Sequence, residues 1–255
     1  MDVSGAKGVC KDSVVPACFS GGKALMYVPE QVMKQVCGMA KKAEGPFHMA
    51  PLTSNDKERT IAFLTRLFFR DEPLAKAVKL IEGPNGRCAE LEEYISKAMD
   101  DGVSVMAVDD DGEMVGVVIN SLLCRDRAVD KDDIDKCPNP KFKKIIRLLS
   151  YIERECRLWE EVPSNCSVVV DLKVASTDPK WRGRNIMKKL VAETERVAKK
   201  NGAAGVHLVA TSVFSAKAAD RLGYKKIYCV KYADVPDGPQ PELPHVEACV
   251  YFKLV

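Results

Sequence analysis

The sequence predicts an α/β fold in which a mixed central β-sheet is flanked by helices on both faces. Short runs rich in Val and Ile, typical of strands, alternate with stretches whose apolar residues recur every three or four positions, as in amphipathic helices. Asp111 and Gly112 separate two of the apolar runs, as in a β-hairpin. A strand, a basic turn and a helix follow one another over residues 168–200. The predicted order, β-α-α-β-β-α-β-α-β-α-β-β, is typical of a layered mixed sheet.

The N-terminal part differs from the rest of the chain. Residues 1–45 are rich in Gly, Ala, Lys and Val and show no sustained period, so we predict a variable, partly disordered extension. Residues 46–255 are predicted to form a single domain. It begins with a strand over 47–52, followed by helices over 57–69 and 91–99.

The middle of the domain combines a hairpin with a long helix. Strands are predicted over 104–108 and 114–122, and a polar loop over 126–140. An amphipathic helix over 142–159 follows, with a stripe of apolar side chains that we expect to pack on the core. The stripe consists of Phe142, Ile145, Ile146, Leu149, Ile152, Cys156 and Trp159.

The C-terminal part alternates strands and helices before ending in two strands. The predicted elements are a strand over 168–174, a helix over 186–200, a strand over 206–211, a short helix over 215–222, and strands over 226–232 and 248–254. Gly223 ends the short helix, and a Pro-rich loop joins the last two strands.

Composition excludes several classes of function. The net charge is +3, from 39 basic and 36 acidic residues, which is too balanced for nucleic acid or a membrane surface as the main partner. We find no membrane-length apolar run and no signal-peptide pattern at the N-terminus. The ten cysteines contain no CxxC pair and only three histidines accompany them, so no metal is expected. We therefore expect reduced thiols and a cytoplasmic monomer.

The turn before the helix over 186–200 could bind phosphate. The first N–H groups of a helix are unpaired and carry partial positive charge, so they attract anions. Gly183 allows the backbone to approach a ligand, and Arg182, Arg184, Lys188 and Lys189 add positive charge. Basic turns also precede helices that bind no ligand, so this pattern alone leaves both interpretations open.

The order of elements around this turn resembles the GCN5-related N-acetyltransferase (GNAT) superfamily. There, a strand, a loop of pattern R/Q-x-x-G-x-G/A, a helix, a strand and a helix ending in L-G-F/Y occur in this order, and Leu222-Gly223-Tyr224 matches the last motif. The resemblance implies a GNAT fold with acetyl-CoA as co-substrate. It also implies that the end of the preceding strand, Leu172, Lys173 and Val174, hydrogen-bonds the pantetheine arm of CoA. The CoA pyrophosphate would be bound by the loop and the start of the helix, at Lys180, Arg182, Gly183, Arg184, Asn185, Ile186 and Met187.

The loop departs from the superfamily pattern at two positions. Lys180 stands where Arg or Gln is usual, and Asn185 replaces the last Gly or Ala. Since Asn tolerates positive φ better than most residues, we expect the loop conformation to survive.

Three further segments resemble the insect arylalkylamine N-acetyltransferases. Residues 68–74, FFRDEPL, resemble that group's F-F-x-D-E-P-L signature, and residues 210–216, ATSVFSA, resemble its late helix start. The helix predicted over 142–159 also resembles that group. The resemblance implies that Glu72 is the catalytic base and that Thr211 and Ser215 occupy the positions of two functional serines. It also implies an arylalkylamine acceptor such as dopamine, tyramine, serotonin or tryptamine, with polyamines or agmatine as further candidates.

The chemistry explains why a base is needed. A primary alkylamine has a pKa of about 10.4, so little of it is nucleophilic at neutral pH, and a carboxylate such as Glu72 can remove its proton. A thiolate leaves readily, and Ser215 could donate to the sulfur because Ala219 occupies the position where many relatives have an acidic Tyr. Direct transfer needs no nucleophilic cysteine. Simpler interpretations are a surface acid beside Pro73 and a helix N-cap at Ser215.

Alternative functions remain open at this point. The chain could acetylate lysines of proteins or peptides, or bind CoA as a non-catalytic sensor. His48 and His207 are candidates for a proton relay. The aromatic candidates for an amine pocket are Phe47, Tyr151, Trp159 and Tyr224, each of which could equally be a core residue.

Overall fold

The computed structural model describes residues 45–126, 131–235 and 237–255. The predicted N-terminal extension, apart from its last residue, lies outside the described residues. None of the described helices is long and apolar enough to cross a lipid bilayer.

Seven strands form one mixed sheet in the described part of the chain, in the order β1-β2-β3-β4-β5-β7-β6. Strands β4 and β5 run parallel and all other neighbours are antiparallel. The predicted mixed sheet is therefore confirmed. The strands are β1 Phe47–Pro51, β2 Val105–Asp109, β3 Met114–Cys124, β4 Val168–Thr177, β5 Gly205–Ala210, β6 Lys225–Lys231 and β7 Glu247–Leu254.

Helices connect these strands, and short 3₁₀ turns lie at Ser54–Asp56, Pro179–Trp181 and Tyr232–Asp234. The described α-helices are α1 Lys57–Leu67, α2 Pro73–Ala77, α3 Ala89–Met99, α4 Lys131–Lys136, α5 Pro140–Glu155, α6 Leu158–Glu161, α7 Ile186–Lys200 and α8 Val213–Arg221.

The helices cover both faces of the sheet, as predicted. On one face, α7 buries Ile186, Leu190 and Val191 against sheet residues that include Val118 and Val170. The other face is covered by α1 and α3 over β2 and β3, and by α5 beside α2. Apolar side chains spaced three or four residues apart give α5 and α7 the single buried face that this packing requires.

The parallel pair at the centre of the sheet separates partway along its length. Pairing between β4 and β5 ends where Leu172 faces Leu208, although β4 continues to Thr177. Near the same point β4 contains a β-bulge. Ile119 of β3 pairs with Val174 and the next residue pairs with Leu172, so Lys173 is the extra residue. Bulges redirect side chains, and this one lies where the sheet opens.

Several predicted boundaries were wrong for local reasons. Helix α1 ends at Leu67, two residues before its predicted end, because Phe68 leaves the helical conformation. The loop predicted over 126–140 contains α4, with 127–130 outside the described residues. The helix predicted over 142–159 is two helices, since Arg157 has a left-handed φ of 47°. The helix predicted to start at Ser215 begins at Val213.

The expectation that all cysteines are reduced was wrong for one pair. Cys229 of β6 and Cys249 of β7 face each other across the antiparallel pair and form a disulfide, with their Cα atoms 4.1 Å apart. Cysteines 88, 124, 137, 156 and 166 are free thiols. The CxxC rule missed the pair because cross-strand neighbours can be distant in sequence, here by 20 residues.

Candidate active site

The carboxylate of Glu72 lies at the N-terminus of α2. Its extended backbone places it before Pro73, and its Oε2 accepts the N–H of Ala75 at 2.7 Å, so Glu72 is the N-cap of this helix. Its other oxygen, Oε1, accepts the hydroxyl proton of Thr211 at 2.8 Å. Thr211 follows the last residue of β5, so the two predicted residues meet beside the gap in the sheet.

Burial raises the pKa of Glu72 above its ordinary value. The hydrogen bonds from Ala75 and Thr211 oppose this effect without cancelling it. A raised pKa brings a carboxyl closer to neutral pH and makes it a stronger base when ionised. Tyr232 was not anticipated from the sequence, but it donates its hydroxyl to the carbonyl of Thr211 at 2.7 Å and thereby fixes this part of the backbone.

Ser215 is not bonded to Glu72 or Thr211. Its Oγ lies 2.9 Å from the Oγ of Ser212 and also accepts the N–H of Ser212 at 3.2 Å. Ser212, whose side chain accepts the N–H of Ser215, is the N-cap of α8. The N-cap interpretation of Ser215 is therefore wrong, because the helix starts earlier than predicted. Position 219 of α8 is a buried alanine. Because alanine has no ionisable group, α8 offers no general acid at that position.

The gap between β4 and β5 leads to the N-terminus of α7. Beyond Leu172, β4 has no β5 partner, so its backbone polar groups on that side are open to a ligand. Gly183 has a φ of 81°, and a Cβ at this position would have no atom within 4 Å, while Asn185 takes the left-handed conformation with φ 60°. No side chain caps the helix, so its first N–H groups are available to an anion.

The basic residues of this loop differ in what they contact. Lys180 and Arg182 are exposed. Arg184 stacks on Trp181, with 4.5 Å from the guanidinium carbon to the ring centroid, and donates to the carbonyl of Gly45. Arg184 therefore also holds the start of the domain against the loop, a role that its sequence position did not reveal. Met187 is half-buried on α7.

A cavity of about 150 Å³ connects Glu72 with the point where the sheet opens. Since a water molecule occupies roughly 30 Å³ in the liquid, this volume suits a small molecule. Its wall includes four consecutive residues of β4, 171–174, which an unbroken strand would turn alternately to opposite faces. The bulge at Lys173 accounts for this arrangement. Its apolar walls include Phe68, Phe69, Leu149 and Val209.

Charged side chains form a cluster in the same cavity. Asp171 binds the ammonium group of Lys173 at 2.7 Å and Nδ1 of His207 at 3.1 Å. Lys173 also donates to the hydroxyl of Tyr94 at 3.0 Å. Glu153 of α5 lines the cavity beside them. We call these five residues the polar cluster.

Burial and the charges of neighbouring side chains together shift the pKa values in the polar cluster. Burial favours the neutral form of Asp171, but Lys173 and His207 outweigh it and hold the pKa of Asp171 well below its usual range. Burial also acts to lower the pKa of His207, yet Asp171 and the nearby Cys156 raise it to about 9. Burial and then the charge of Asp171 raise the pKa of Glu153.

Several candidates from the sequence lie elsewhere. The four aromatic residues proposed for the amine pocket do not line this cavity, whose aromatic walls are Phe68, Phe69, Tyr94 and Phe142. His48 is exposed on β1, whereas His207 belongs to the polar cluster. Spacing could not identify the cluster, because its members come from α3, α5, β4 and β5.

No protein-family model matches the chain. Among solved structures, arylalkylamine N-acetyltransferase 2 from Aedes aegypti is 26% identical, with a TM-score of 0.76 over 82% of this chain and 99% of that chain. Drosophila melanogaster polyamine N-acetyltransferase, which forms N-acetylagmatine, is 22% identical, with a TM-score of 0.71 over 82% and 100%. Arabidopsis thaliana NAA60 in complex with acetyl-CoA is 13% identical, with a TM-score of 0.52 over 82% and 100%. The last two similarities concern the fold alone.

Proposed function

We propose that the chain is a member of the GNAT superfamily, in the group of the insect arylalkylamine N-acetyltransferases, and that it transfers the acetyl group of acetyl-CoA to a small primary amine. One observation carries the proposal. The Glu72–Thr211 hydrogen bond lies in the same small cavity as Leu172 and Val174, at the point where β4 and β5 separate.

Glu72 is the proposed general base. An alkylammonium ion with a pKa of about 10.4 must lose a proton before it can attack, and that deprotonation costs about 5 kcal/mol at neutral pH. The Glu72 carboxylate accepts this proton directly or through a water molecule. Its negative charge also attracts the cationic amine into the cavity. Thr211 orients the carboxylate and is in turn held through its carbonyl by Tyr232.

The gap and the α7 loop fit acetyl-CoA, which supplies an activated acyl group as a thioester. The open backbone of Leu172, Lys173 and Val174 would hold the pantetheine arm. The uncapped amides from Gly183 to Met187 would hold the pyrophosphate, with Lys180, Arg182 and Arg184 adding positive charge. Asn185 takes the backbone conformation that the loop requires, so its replacement of Gly or Ala is compatible with this role.

The proposed departure of CoA requires little help, because a thiol has a pKa of about 8.5 and its thiolate is a good leaving group. Ser215 is the proposed donor to the sulfur, since it lies in the first turn of α8, four residues after Thr211. Its hydroxyl, which here donates to the carbonyl of Ser212 at 2.9 Å, would have to turn towards the sulfur. No cysteine nucleophile is required. We propose direct transfer by a monomer that uses no metal.

Turnover of acetyl-CoA tests the proposal. The purified protein is incubated with acetyl-CoA and a panel comprising tyramine, dopamine, tryptamine, serotonin, agmatine, spermidine and a lysine peptide. Release of the CoA thiol and mass spectrometry of the product are both measured. We expect turnover of small amines. Turnover of the peptide alone would identify a protein acetyltransferase, and CoA binding without any turnover would indicate a sensor.

A further inference from the structure

We propose that Cys229, Glu247 and Cys249 form a binding site for Zn²⁺ when the disulfide between the two cysteines is reduced. The same two cysteines then connect β6 and β7 in two ways, through the disulfide under oxidising conditions and through the metal ion under reducing conditions. The ion takes no part in the proposed acetyl transfer, and its role is to hold the two strands together.

Strand geometry places the three side chains side by side. Cys229 of β6 pairs with Cys249 of β7, and two positions along, Lys231 pairs with Glu247. Since residues two apart on a strand point to the same face, these four side chains share one face of the sheet. Glu247 is thus the neighbour of Cys249 along β7 and the diagonal neighbour of Cys229. The two sulfurs and a carboxylate oxygen of Glu247 all lie within 4.8 Å of one another.

The spacing of these atoms suits a tetrahedral metal ion. Zn²⁺ binds thiolate sulfur at about 2.3 Å and carboxylate oxygen at about 2.0–2.2 Å, so two sulfurs bound to one ion are about 3.8 Å apart. The Cα atoms of Cys229 and Cys249 are 4.1 Å apart, which lets both thiolates reach a common ion once the bond between them is broken. Because the carboxylate of Glu247 is already near, rotation of side chains is sufficient and the strand pairing is retained.

The chemistry of the three ligands favours Zn²⁺ over other common divalent cations. Ca²⁺ and Mg²⁺ prefer oxygen ligands, whereas thiolates favour zinc. Three protein ligands leave the fourth tetrahedral position to a water molecule. Cys229 and Glu247 are half-buried, so an ion can enter from solvent, while Cys249 is buried. Lys231, on the same face, offsets part of the negative charge of the three ligands.

The disulfide and the metal ion exclude each other, because each uses both sulfurs. Reduction by a dithiol adds two electrons and two protons to the Cys229–Cys249 bond, and the dithiol becomes a disulfide itself. Zn²⁺ then replaces the two thiol protons, which pass to the solvent, and two Zn–S bonds form. In the reduced protein the ion therefore restores the connection between β6 and β7 that the disulfide provides.

The proposed zinc site lies on the face of the sheet opposite the Glu72 cavity. Cys249 pairs with Ala210 of β5, and both belong to the buried cluster under α7 and α8. The residues on either side of Ala210, Val209 and Thr211, line the cavity on the other face. The inference is therefore independent of the proposed function. The expectation of no metal rested on CxxC spacing, which does not detect ligands that come from two strands.

Metal binding by the reduced protein tests the inference. The protein is reduced with a phosphine, desalted without oxygen and titrated with Zn²⁺ in competition with a chromophoric chelator. Co²⁺ is titrated in parallel, because its thiolate complexes have a characteristic charge-transfer absorption. In the reduced wild type we expect metal binding at this site and a higher melting temperature when Zn²⁺ is added. In the oxidised wild type this site should bind no metal and Zn²⁺ should not change the melting temperature.

Variants assign the ligands. Cys229→Ser should abolish this binding, and Cys124→Ser is the matched control because Cys124 is a free thiol outside the site. Glu247→Gln should weaken Zn²⁺ binding about tenfold or more, since one of three protein ligands is lost. The comparison of oxidised with reduced wild type needs no variant to fold.

Three results would overturn the inference. They are absence of cobalt–thiolate absorption in the reduced wild type, equal Zn²⁺ affinity in Cys229→Ser and Cys124→Ser, and unchanged affinity in Glu247→Gln. None of them bears on amine acetylation, and absence of turnover with every amine would leave the zinc site in place.

Discussion

The hydroxyl of Thr211 donates a hydrogen bond to the carboxylate of Glu72 over 2.8 Å, although 139 residues separate them in the chain. Glu72 caps a five-residue helix, and Thr211 follows the central strand β5. The fold therefore brings a buried carboxylate to the place where two parallel strands separate. The proposed chemistry depends on this contact.

Replacing the proposed base should reduce activity in a pH-dependent manner. Glu72→Gln removes the proton acceptor but retains hydrogen-bonding groups, and we expect a loss of kcat/KM of about a hundredfold or more at pH 7. The loss should be smaller at high pH, where more of the amine is already deprotonated. In the wild type, kcat/KM should fall at low pH as Glu72 is protonated, at a pH above the ordinary glutamate range because burial raises its pKa.

Asp71→Asn is the control for this variant, since Asp71 is an exposed acid beside Glu72. It should retain nearly full activity. An unchanged pH profile in Glu72→Gln would exclude Glu72 as the base.

Removing the hydroxyl of Thr211 should change the pH profile as well as the rate. The hydrogen bond from Thr211 lowers the pKa of Glu72, so Thr211→Val should move the acidic limb of kcat/KM to higher pH and reduce the maximum about tenfold. Thr211→Ser keeps a hydroxyl and should retain the wild-type profile. A lower rate with an unshifted profile in Thr211→Val would point to a purely structural role.

The left-handed conformation at Gly183 predicts a specific loss of acetyl-CoA affinity. Gly183→Val forces a β-branched residue to a φ of 81°, and we expect KM for acetyl-CoA to rise about tenfold or more because the loop amides shift. Gly112 has nearly the same φ, 79°, but lies in the β2–β3 turn. Gly112→Val should therefore lower thermal stability without changing this KM. An equal rise in both variants would argue against a cofactor site at Gly183.

The disulfide predicts redox-dependent stability. Cys229 and Cys249 are 20 residues apart, and closing a loop of that length stabilises the folded state by about 3 kcal/mol in the chain-entropy model. In urea unfolding, the free energy of unfolding should fall by this amount in Cys229→Ser and in the wild type under reductant. Cys124→Ser is the control: Cys124 is a free thiol, so this variant should keep the disulfide and still lose stability under reductant. If reductant leaves the unfolding free energy of the wild type unchanged, the two cysteines do not form the bond in solution.

The polar cluster predicts a decline in stability with rising pH. The pKa of His207 is raised to about 9 in the folded protein, compared with about 6.5 in an unfolded chain. The folded state therefore binds this proton more tightly. The resulting stabilisation is fully present below pH 6.5 and is lost as the pH rises through about 9. Chemical unfolding of the wild type should weaken across this interval, and His207→Gln should abolish that slope. A slope of equal size in the variant would assign it to other groups.

Local patterns in the sequence predicted much of the fold. All seven strands and helix α7 follow from hydrophobic periodicity, and the bounds of α7 match those predicted. The errors lie where a single residue changes the backbone path. Arg157 divides one predicted helix because it is left-handed, and periodicity alone does not reveal such a conformation in a non-glycine residue.

The candidate site was only partly accessible from sequence. Glu72 and Thr211 came from short motifs, and the structure brings them together. The polar cluster was not foreseen, because Tyr94, Glu153 and His207 belong to elements that meet only through the sheet topology. The β-bulge at Lys173 has no signature in local composition, yet the consecutive residues Lys173 and Val174 both line the cavity at this point.

Acetyl transfer to tyramine, with release of the CoA thiol followed alongside mass spectrometry of the product, tests the central claim most directly. Wild-type protein should produce N-acetyltyramine in proportion to the thiol released, and Glu72→Gln should produce it about a hundredfold more slowly at pH 7. Tight binding of acetyl-CoA without acetylation of tyramine or of any other small amine would contradict the assignment of an acetyltransferase site to Glu72 and Thr211.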